Sequence, residues 1–230
     1  MHIPDGFLTT DVALACAVPA AVAVGVGLRK AGTDLDERRV PLLGVTAAFV
    51  FAAQMLNFPV AAGTSGHLLG AVLAAVLVGP YAGGLAVTVV LVVQSLMFAD
   101  GGLSALGLNV INMALVGAFA GYGIFLVIRK LLGSTTTSVT AAAGLAAFAA
   151  PVLASLAFVA EYAIGGNDAV SLRSVTGAMV GVHTLIGIGE GIITALAIGA
   201  VMATRPDLVY GARGTVVAPA DRGVVAQAVR

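Results

Sequence analysis

Apolar residues run in long unbroken blocks along this chain, separated by turn residues and charges, rather than in the spaced stripe of a surface helix. A helix needs roughly 20 apolar residues to cross a bilayer. On that measure the blocks predict seven spans: about Val12 to Leu28, Val40 to Phe58, His67 to Val78, Tyr81 to Ala99, Asn109 to Leu131, Ser138 to Ile164, and Thr176 to Ala203. The third is short. Gly79-Pro80 ends it early and Gly63-Thr-Ser-Gly66 precedes it, which predicts a segment that starts or bends inside the membrane, packed against other helices. Short, glycine-broken segments often mark binding sites in transporters. The fold class expected is all-α: a polytopic membrane bundle of about seven helices over residues 1–205, followed by a flexible cytoplasmic tail over residues 206–230.

Composition strengthens this picture. Hydrophobic residues make up 60% of the 230 positions and charged residues 10%, against about 25% charged in a soluble domain. No Asp, Glu, Lys or Arg occurs from Val40 through Ala99. The lone Cys16 excludes a disulfide framework and a multi-cysteine metal cluster, so any transition-metal site must use nitrogen or oxygen. The first basic residue is Arg29, which does not fit a secretory leader, and the N-terminus is expected to survive unprocessed. Net charge is zero and no basic aromatic stripe is present, so nucleic acid is not an expected partner; the lipid bilayer is.

Placing the N-terminus outside puts Arg29, Lys30, Arg38, Arg39, Arg129, Lys130, Arg205, Arg213, Arg222 and Arg230 inside and leaves only Arg173 outside. The positive-inside rule favours that orientation. It also brings His2, the His67 loop, the Asp100-Gly-Gly102 loop and the start of the seventh span to one face.

Met1 and His2 carry the most specific chemistry. A terminal amine, the His2 amide nitrogen and the His2 imidazole can wrap one metal ion in two fused chelate rings. Pro4 has no N–H, so the main chain is poorly suited to supply more nitrogens, and His67 is the best candidate to complete a square. A planar N4 set suits Ni(II) or Cu(II) over tetrahedral Zn(II). The plain alternative is an ordinary chain start and a loop histidine capping a helix.

Other polar residues lie where lipid should not see them. Glu190 sits midway along the seventh span, where a charge costs on the order of 3 kcal/mol, and must be paired, protonated or facing water. His183, seven residues earlier, shares nearly the same face. Structural bonding of Glu190 and a role in coupling both stand open; for a coupling role, Glu190→Gln is expected to slow uptake and spare binding. Gln54, Asn57, Gln94, Asn109 and Asn112 suit capping, interhelical bonding or the orienting of a ligating imidazole. Asp100 is expected to be the most exposed acid on the outer face, drawing in cations or closing a Gly-Gly turn. The small residues Ala13, Ala17, Ala21 and Gly25, and Gly44, Ala48 and Ala52, read as packing ladders. There is no phosphate loop, no His-Glu-x-x-His and no nucleophile elbow, so ATP hydrolysis would fall to another subunit and an enzyme is not expected.

Taken together, Met1-His-Ile-Pro-Asp-Gly6, the Ala47–Phe58 stretch, Gly63-Thr-Ser-Gly-His-Leu-Leu-Gly70, Asp100-Gly-Gly102 with Leu106-Gly-Leu-Asn109 and Asn112-Met113, and Ile186-Gly-Ile-Gly-Glu-Gly191 resemble the CbiM and NikM family. These are the metal-binding membrane components of energy-coupling factor importers for cobalt and nickel. The resemblance implies a seven-helix protein whose outward N-terminus folds into the bundle, with metal held by Met1, His2 and His67. It implies Ni2+ or Co2+ as the transported ligand and no organic cofactor. The partners implied are a transmembrane coupling subunit, two ATPase subunits and often a small accessory membrane protein, in a prokaryotic plasma membrane. Pro4-Asp5 looks more like the nickel members, and Asp100 stands where some members have histidine, so that histidine's role does not transfer. The rival readings are a stand-alone divalent-cation channel or ion-coupled transporter using Glu190 and His183, and an intramembrane metalloenzyme.

Overall fold

A computed structural model describes residues 1–35, 37, 39–60, 64–167 and 170–214. Among these the chain forms seven helices: α1 (Thr10–Asp34), α2 (Arg39–Met55), α3 (Ala71–Val78), α4 (Pro80–Met97), α5 (Leu106–Leu132), α6 (Thr136–Gly165) and α7 (Leu172–Thr204). The protein is an all-α, multi-pass membrane bundle. Five helices, α1 and α4 to α7, are long and apolar enough to cross a membrane, and α2 is a shorter apolar helix of 17 residues. A two-residue antiparallel ladder, β1 (Phe58–Pro59) with β2 (Ser65–Gly66), and a single antiparallel bridge between Leu8 and Gly166 are added to an otherwise helical plan among the described residues.

Lipid exposure accounts for the unbroken apolar blocks. Leu14, Val18, Val22 and Val26 recur every fourth residue on the outer side of α1 and are exposed, while Ala20, Gly27 and Ala31 face inward. α3 is the opposite case, since all eight of its residues are buried. It is the axial piece around which the longer helices pack, and it reaches only half-way through the bundle. Pro80 opens α4 at a position where its missing N–H costs nothing, and Gly79 at φ 96 provides the sharp reversal between the two helices.

The short third segment begins later than the sequence pattern predicts. His67 lies in an extended loop, and α3 starts only at Ala71. Gly70 stands in the left-handed region at φ 69, against the Val50 side chain, where a Cβ would lie 2.9 Å from a Val50 methyl. α5 also departs from expectation, because Val110–Ala120 winds as a π-helix between α-helical turns at Leu106–Asn109 and Gly121–Leu132. Apolar periodicity carries no signal for that wider winding.

The boundary expected after residue 205 falls within packed chain. Pro206–Leu208 and Tyr210–Ala212 form short 3-10 turns. Val209 and Ala212 are buried, and Arg129 donates to the carbonyls of Gly211 (2.6 Å) and Arg213 (2.9 Å). The rest of the expected tail, residues 215–230, lies outside the described residues.

Candidate metal centre

The first nine residues are a strap threaded through one end of the bundle, and main-chain bonding explains why they stay there. Asn109, near the start of α5, grips Ile3 from both sides: its Oδ1 accepts from Ile3 N at 2.8 Å and its Nδ2 donates to Ile3 O at 3.2 Å. The Gly102 N–H donates to the same carbonyl at 2.8 Å. Asp5 accepts from the Ser104 N–H (2.8 Å) and hydroxyl (2.5 Å). Farther along, Asn167 donates its main-chain N–H to Phe7 O and its side-chain amide to Gly6 O, and Thr9 N bonds Gly165 O at 2.8 Å. Phe7 packs between Phe158 and Tyr162 of α6, with ring centroids 5.8 and 5.1 Å away. Met1 and Ile3 are consequently as buried as any core residue.

His2 is drawn into the bundle by this strap. Its main-chain N–H and its Nδ1 both face Ser65 Oγ, at 3.2 and 3.3 Å. The two nitrogens that a terminal chelate requires therefore point the same way. Nδ1 also lies 3.1 Å from Asp100 Oδ1, and Nε2 lies 3.1 Å from Gln94 Oε1. Burial, more than any neighbour, holds the imidazole below its ordinary pKa of 6.5 despite Asp100, so at neutral pH it carries one proton for two facing acceptors. Gln94 Nε2 is buried without a partner among the described residues, and turning that amide over would direct an N–H at the ring. Gly101 makes the close approach possible: at φ 91 it adopts a conformation that a side chain disfavours, and a Cβ there would lie 3.0 Å from His2 Cδ2.

His67 arrives from the opposite side. Its ring centroid is 4.5 Å from that of His2, at an interplanar angle of 35°. The Nδ1–H donates to Leu68 O at 2.9 Å, which fixes the tautomer and leaves Nε2 with a lone pair. That Nε2 is buried and has no partner among the described residues. Burial first, then the terminal amine and the His2 and His183 imidazoles, keep His67 well below its ordinary pKa. The Met1 amine is likewise held well below 8.0, mainly by burial, with Asp100 and Glu190 opposing. Both shifts favour the neutral form of these nitrogens, which carries a lone pair.

The loop carrying His67 is fixed from two helices. Glu190 of α7 accepts main-chain hydrogen bonds from Leu69 N (2.7 Å) and Gly70 N (2.9 Å), with one carboxylate oxygen for each. Gln54 of α2 donates to Leu69 O at 2.8 Å. Hydrogen bonds to a charged group contribute roughly 1.5–3 kcal/mol each, enough to offset the insertion cost of a carboxylate at this depth. Glu190 thereby acts as the N-terminal anion of the buried α3, where main-chain N–H groups lack helical partners.

The other residues singled out by sequence separate into two sets. Asp100 lies beside His2 with a side chain only 15% exposed, so the expectation that it is the most exposed acid on the outer face is corrected: Asp5 is exposed, whereas His2 and the Asn57 amide (2.7 Å) draw Asp100 inward. Burial by itself would raise its pKa, but the His2 hydrogen bond, the His2 and amine charges and Asn57 together hold it below 3.8. Asn109 clamps the strap and does not cap its helix. Asn112 lies elsewhere, donating to Glu161 Oε2 of α6 at 2.6 Å. His183 is fully buried in α7, its Nδ1 bonded to Met179 O at 2.7 Å. Sequence reasoning passed over Ser65, which has no distinguishing pattern, and Glu161, which is the only charged residue in its span and was detectable for that reason.

A cleft of about 370 Å³ opens above His2, lined by Asp5, Ser65, Ser95, Asp100 and the Gly101-Gly102 turn among others. It gives a cation an acidic approach. Among the described residues no cluster of three or more His, Cys, Asp or Glu side chains is arranged to hold a metal. The nitrogen-bearing groups that approach one another here are the His2 and His67 imidazoles and the His2 main-chain N–H.

Comparison with known proteins bears on the same stretch of chain. Residues 2–208 match the family CbiM, described as cobalt uptake substrate-specific transmembrane region. A protein of Haloquadratum walsbyi named for metal transport is 42% identical over 91% of this chain and 94% of its own length. A protein of Archaeoglobus fulgidus named as a fused nickel transport protein, NikMN, is 40% identical over 91% of this chain and 68% of its own. The crystal structure of a truncated transition metal transporter superposes with a TM-score of 0.81 at 29% identity, covering 88% of this chain and 98% of that one.

Proposed function

This chain belongs to the CbiM family, and from that membership and the geometry of its buried N-terminus we propose that it captures Ni2+ or Co2+ at the extracytoplasmic face for ATP-driven import. It is a membrane transport protein of the nickel and cobalt class. The finer reading assigns four nitrogens to the cargo: the Met1 amine, the His2 amide and Nδ1, and His67 Nε2. The observation that carries it is the pairing of His67 Nε2, buried and unpartnered among the described residues, with a His2 whose N–H and Nδ1 face one point. Asp100 and Ser65 engage His2 Nδ1 and release it to the incoming ion. Asn109, Gln54 and Glu190 hold the two donor segments in place.

In this reading the chain is a substrate-binding component and not an enzyme. A transmembrane coupling subunit and two ATPase subunits supply the energy, with a small accessory membrane protein as a further partner. The fused NikMN relative supports a companion segment in the transport machinery, since the present chain covers 68% of that protein's length. The clustering of Arg29, Lys30, Arg39, Arg129, Lys130, Arg205 and Arg213 at the end away from Met1 supports an outward N-terminus.

The test is uptake of radioactive Ni2+ by vesicles holding this chain with and without the coupling and ATPase subunits. ATP-dependent uptake only in the complete assembly is expected. Equal uptake by the chain alone would favour the channel or ion-coupled reading.

A further inference from the structure

Among the described residues, two buried imidazoles present an Nε2 with no hydrogen-bond partner: His67 in the donor set, and His183 in α7. The His183 tautomer is fixed in the same way as that of His67. Its Nδ1–H donates to a carbonyl, Met179 O, at 2.7 Å, and the Nε2 lone pair is left bare in a fully buried position. An imidazole whose second nitrogen is tied to a carbonyl is the usual arrangement of a metal ligand. As a packing element alone, such a nitrogen is costly, since a buried acceptor left unsatisfied loses about 1–3 kcal/mol.

The path of the His67 loop places His183 beside it. Thr64 Oγ1 contacts Met179 Sδ at 3.7 Å, a Cβ on Gly66 would lie 3.1 Å from Ile186 Cδ1, and Leu69 and Gly70 donate to Glu190. Residues 64–70 therefore descend along the α7 face made by Met179, His183, Ile186 and Glu190. His183 occupies the step between the first and second of these contacts. Its imidazole is also close enough to contribute to the electrostatics of His67. The cleft that opens to the outside is lined by His2 and Ser65 but by neither His67 nor His183, so both imidazoles with a bare Nε2 lie behind that opening.

We propose that His183 Nε2 is a further metal ligand, forming with His67 Nε2 a second station, behind the cleft, for a divalent transition-metal cation that leaves the Met1–His2 chelate. The cation exchanges the terminal chelate for a second imidazole while His67 remains bound, so it leaves the chelate without becoming bare. Two neutral imidazoles hold a cation less firmly than a planar N4 set, as a site on a release path requires.

The proposal rests on the reading of Met1, His2 and His67 as cargo ligands, and the experiment separates the two. Full-length chain with Gly-Gly-Pro added before Met1 and with His2→Ala loses the outer chelate, the proline preventing the added residues from forming a new continuous amine–amide set, and Cu2+ is then added as the probe. Pulsed EPR is expected to count two imidazole nitrogens on the residual copper, and His183→Gln is expected to remove that signal while the unextended His183→Gln chain keeps its Ni2+ affinity within twofold. A single imidazole, or no residual copper centre, in the extended chain would overturn the second station without recourse to any His183 variant. So would a copper signal unchanged by His183→Gln. Failure of the unextended, unsubstituted chain to bind Ni2+ would instead defeat the outer reading.

Discussion

The two ends of the bundle are both closed by chain that folds back, yet they are built differently. At one end residues 1–9 thread between helices and bring an amine, an amide and two imidazoles together, with donor atoms left unused. At the other, Tyr210 covers Gly79 at the end of α3, Arg213 stacks 4.1 Å over the Tyr210 ring, and Arg129 binds two carbonyls. In the second closure Arg129 meets two carbonyls and the guanidinium groups of Arg39 and Arg213 both lie over the Tyr210 ring. The first keeps buried nitrogens unprotonated and unsatisfied, which is a cost that stability alone does not explain and that a cation would relieve.

Disturbing the first end should therefore affect binding, and disturbing the second only stability. The largest effect is expected from Gly-Gly-Pro placed before Met1, which moves the amine out of the five-membered chelate ring and, because proline has no amide N–H, does not create a new amine–amide–imidazole set. Calorimetry should show Ni2+ affinity reduced by at least about a thousandfold, since three donors depend on that ring. Full affinity in the extended chain would break the comparison. Glu190→Gln should come next. Its amide offers one oxygen and one NH2 to two main-chain N–H groups, so the His67 loop loses an anchor and Ni2+ affinity should fall about tenfold, or about 1.4 kcal/mol. Unchanged affinity with slowed uptake would return Glu190 to a coupling role.

Acid should weaken the first end with a definite sign. The Met1 amine and His67 are bases whose pKa values are lowered on folding, from ordinary values of 8.0 and 6.5. Below 8.0 the unfolded amine takes up a proton that the folded one does not, and below 6.5 the unfolded His67 does the same. Stability without added metal should fall as pH drops from 8.5 to 5.5, read as a lower thermal midpoint in detergent. The dependence should be weaker in His67→Gln, and an unchanged slope in that variant would show that His67 is not buried unprotonated. The smallest effect on binding is expected from Arg129→Met at the other end, where unfolding should lose about 1–3 kcal/mol and Ni2+ affinity should change less than twofold.

Much of the bundle was legible in the sequence because lipid imposes a coarse, long-range pattern. Blocks of apolar residues and the Gly79-Pro80 break place every helix, including the short α3, within a few residues. His2 and His67 were legible as candidates because chelate chemistry singles out an imidazole at position two, and the structure brings their rings together. Details that depend on tertiary partners were not legible. Nothing local distinguishes Ser65 from other loop serines, and Glu190 gives no hint that its partners are two main-chain amides 120 residues earlier. The delayed start of α3 has the same origin, since that carboxylate takes up the N–H groups at its entrance. The π winding of α5 has no counterpart in apolar spacing, and the ordered turn at Tyr210 escaped notice because its stabilising partner, Arg129, is distant in sequence.

The central claim is that Met1, His2 and His67 offer one cation four nitrogens in a plane, and the spin state of bound nickel tests it most directly. Square-planar Ni(II), being d8, is diamagnetic, whereas six-coordinate Ni(II) has two unpaired electrons. Magnetic susceptibility of the unextended chain loaded with one equivalent of Ni2+ should show a diamagnetic centre; a paramagnetic centre with two unpaired electrons per nickel would contradict the account.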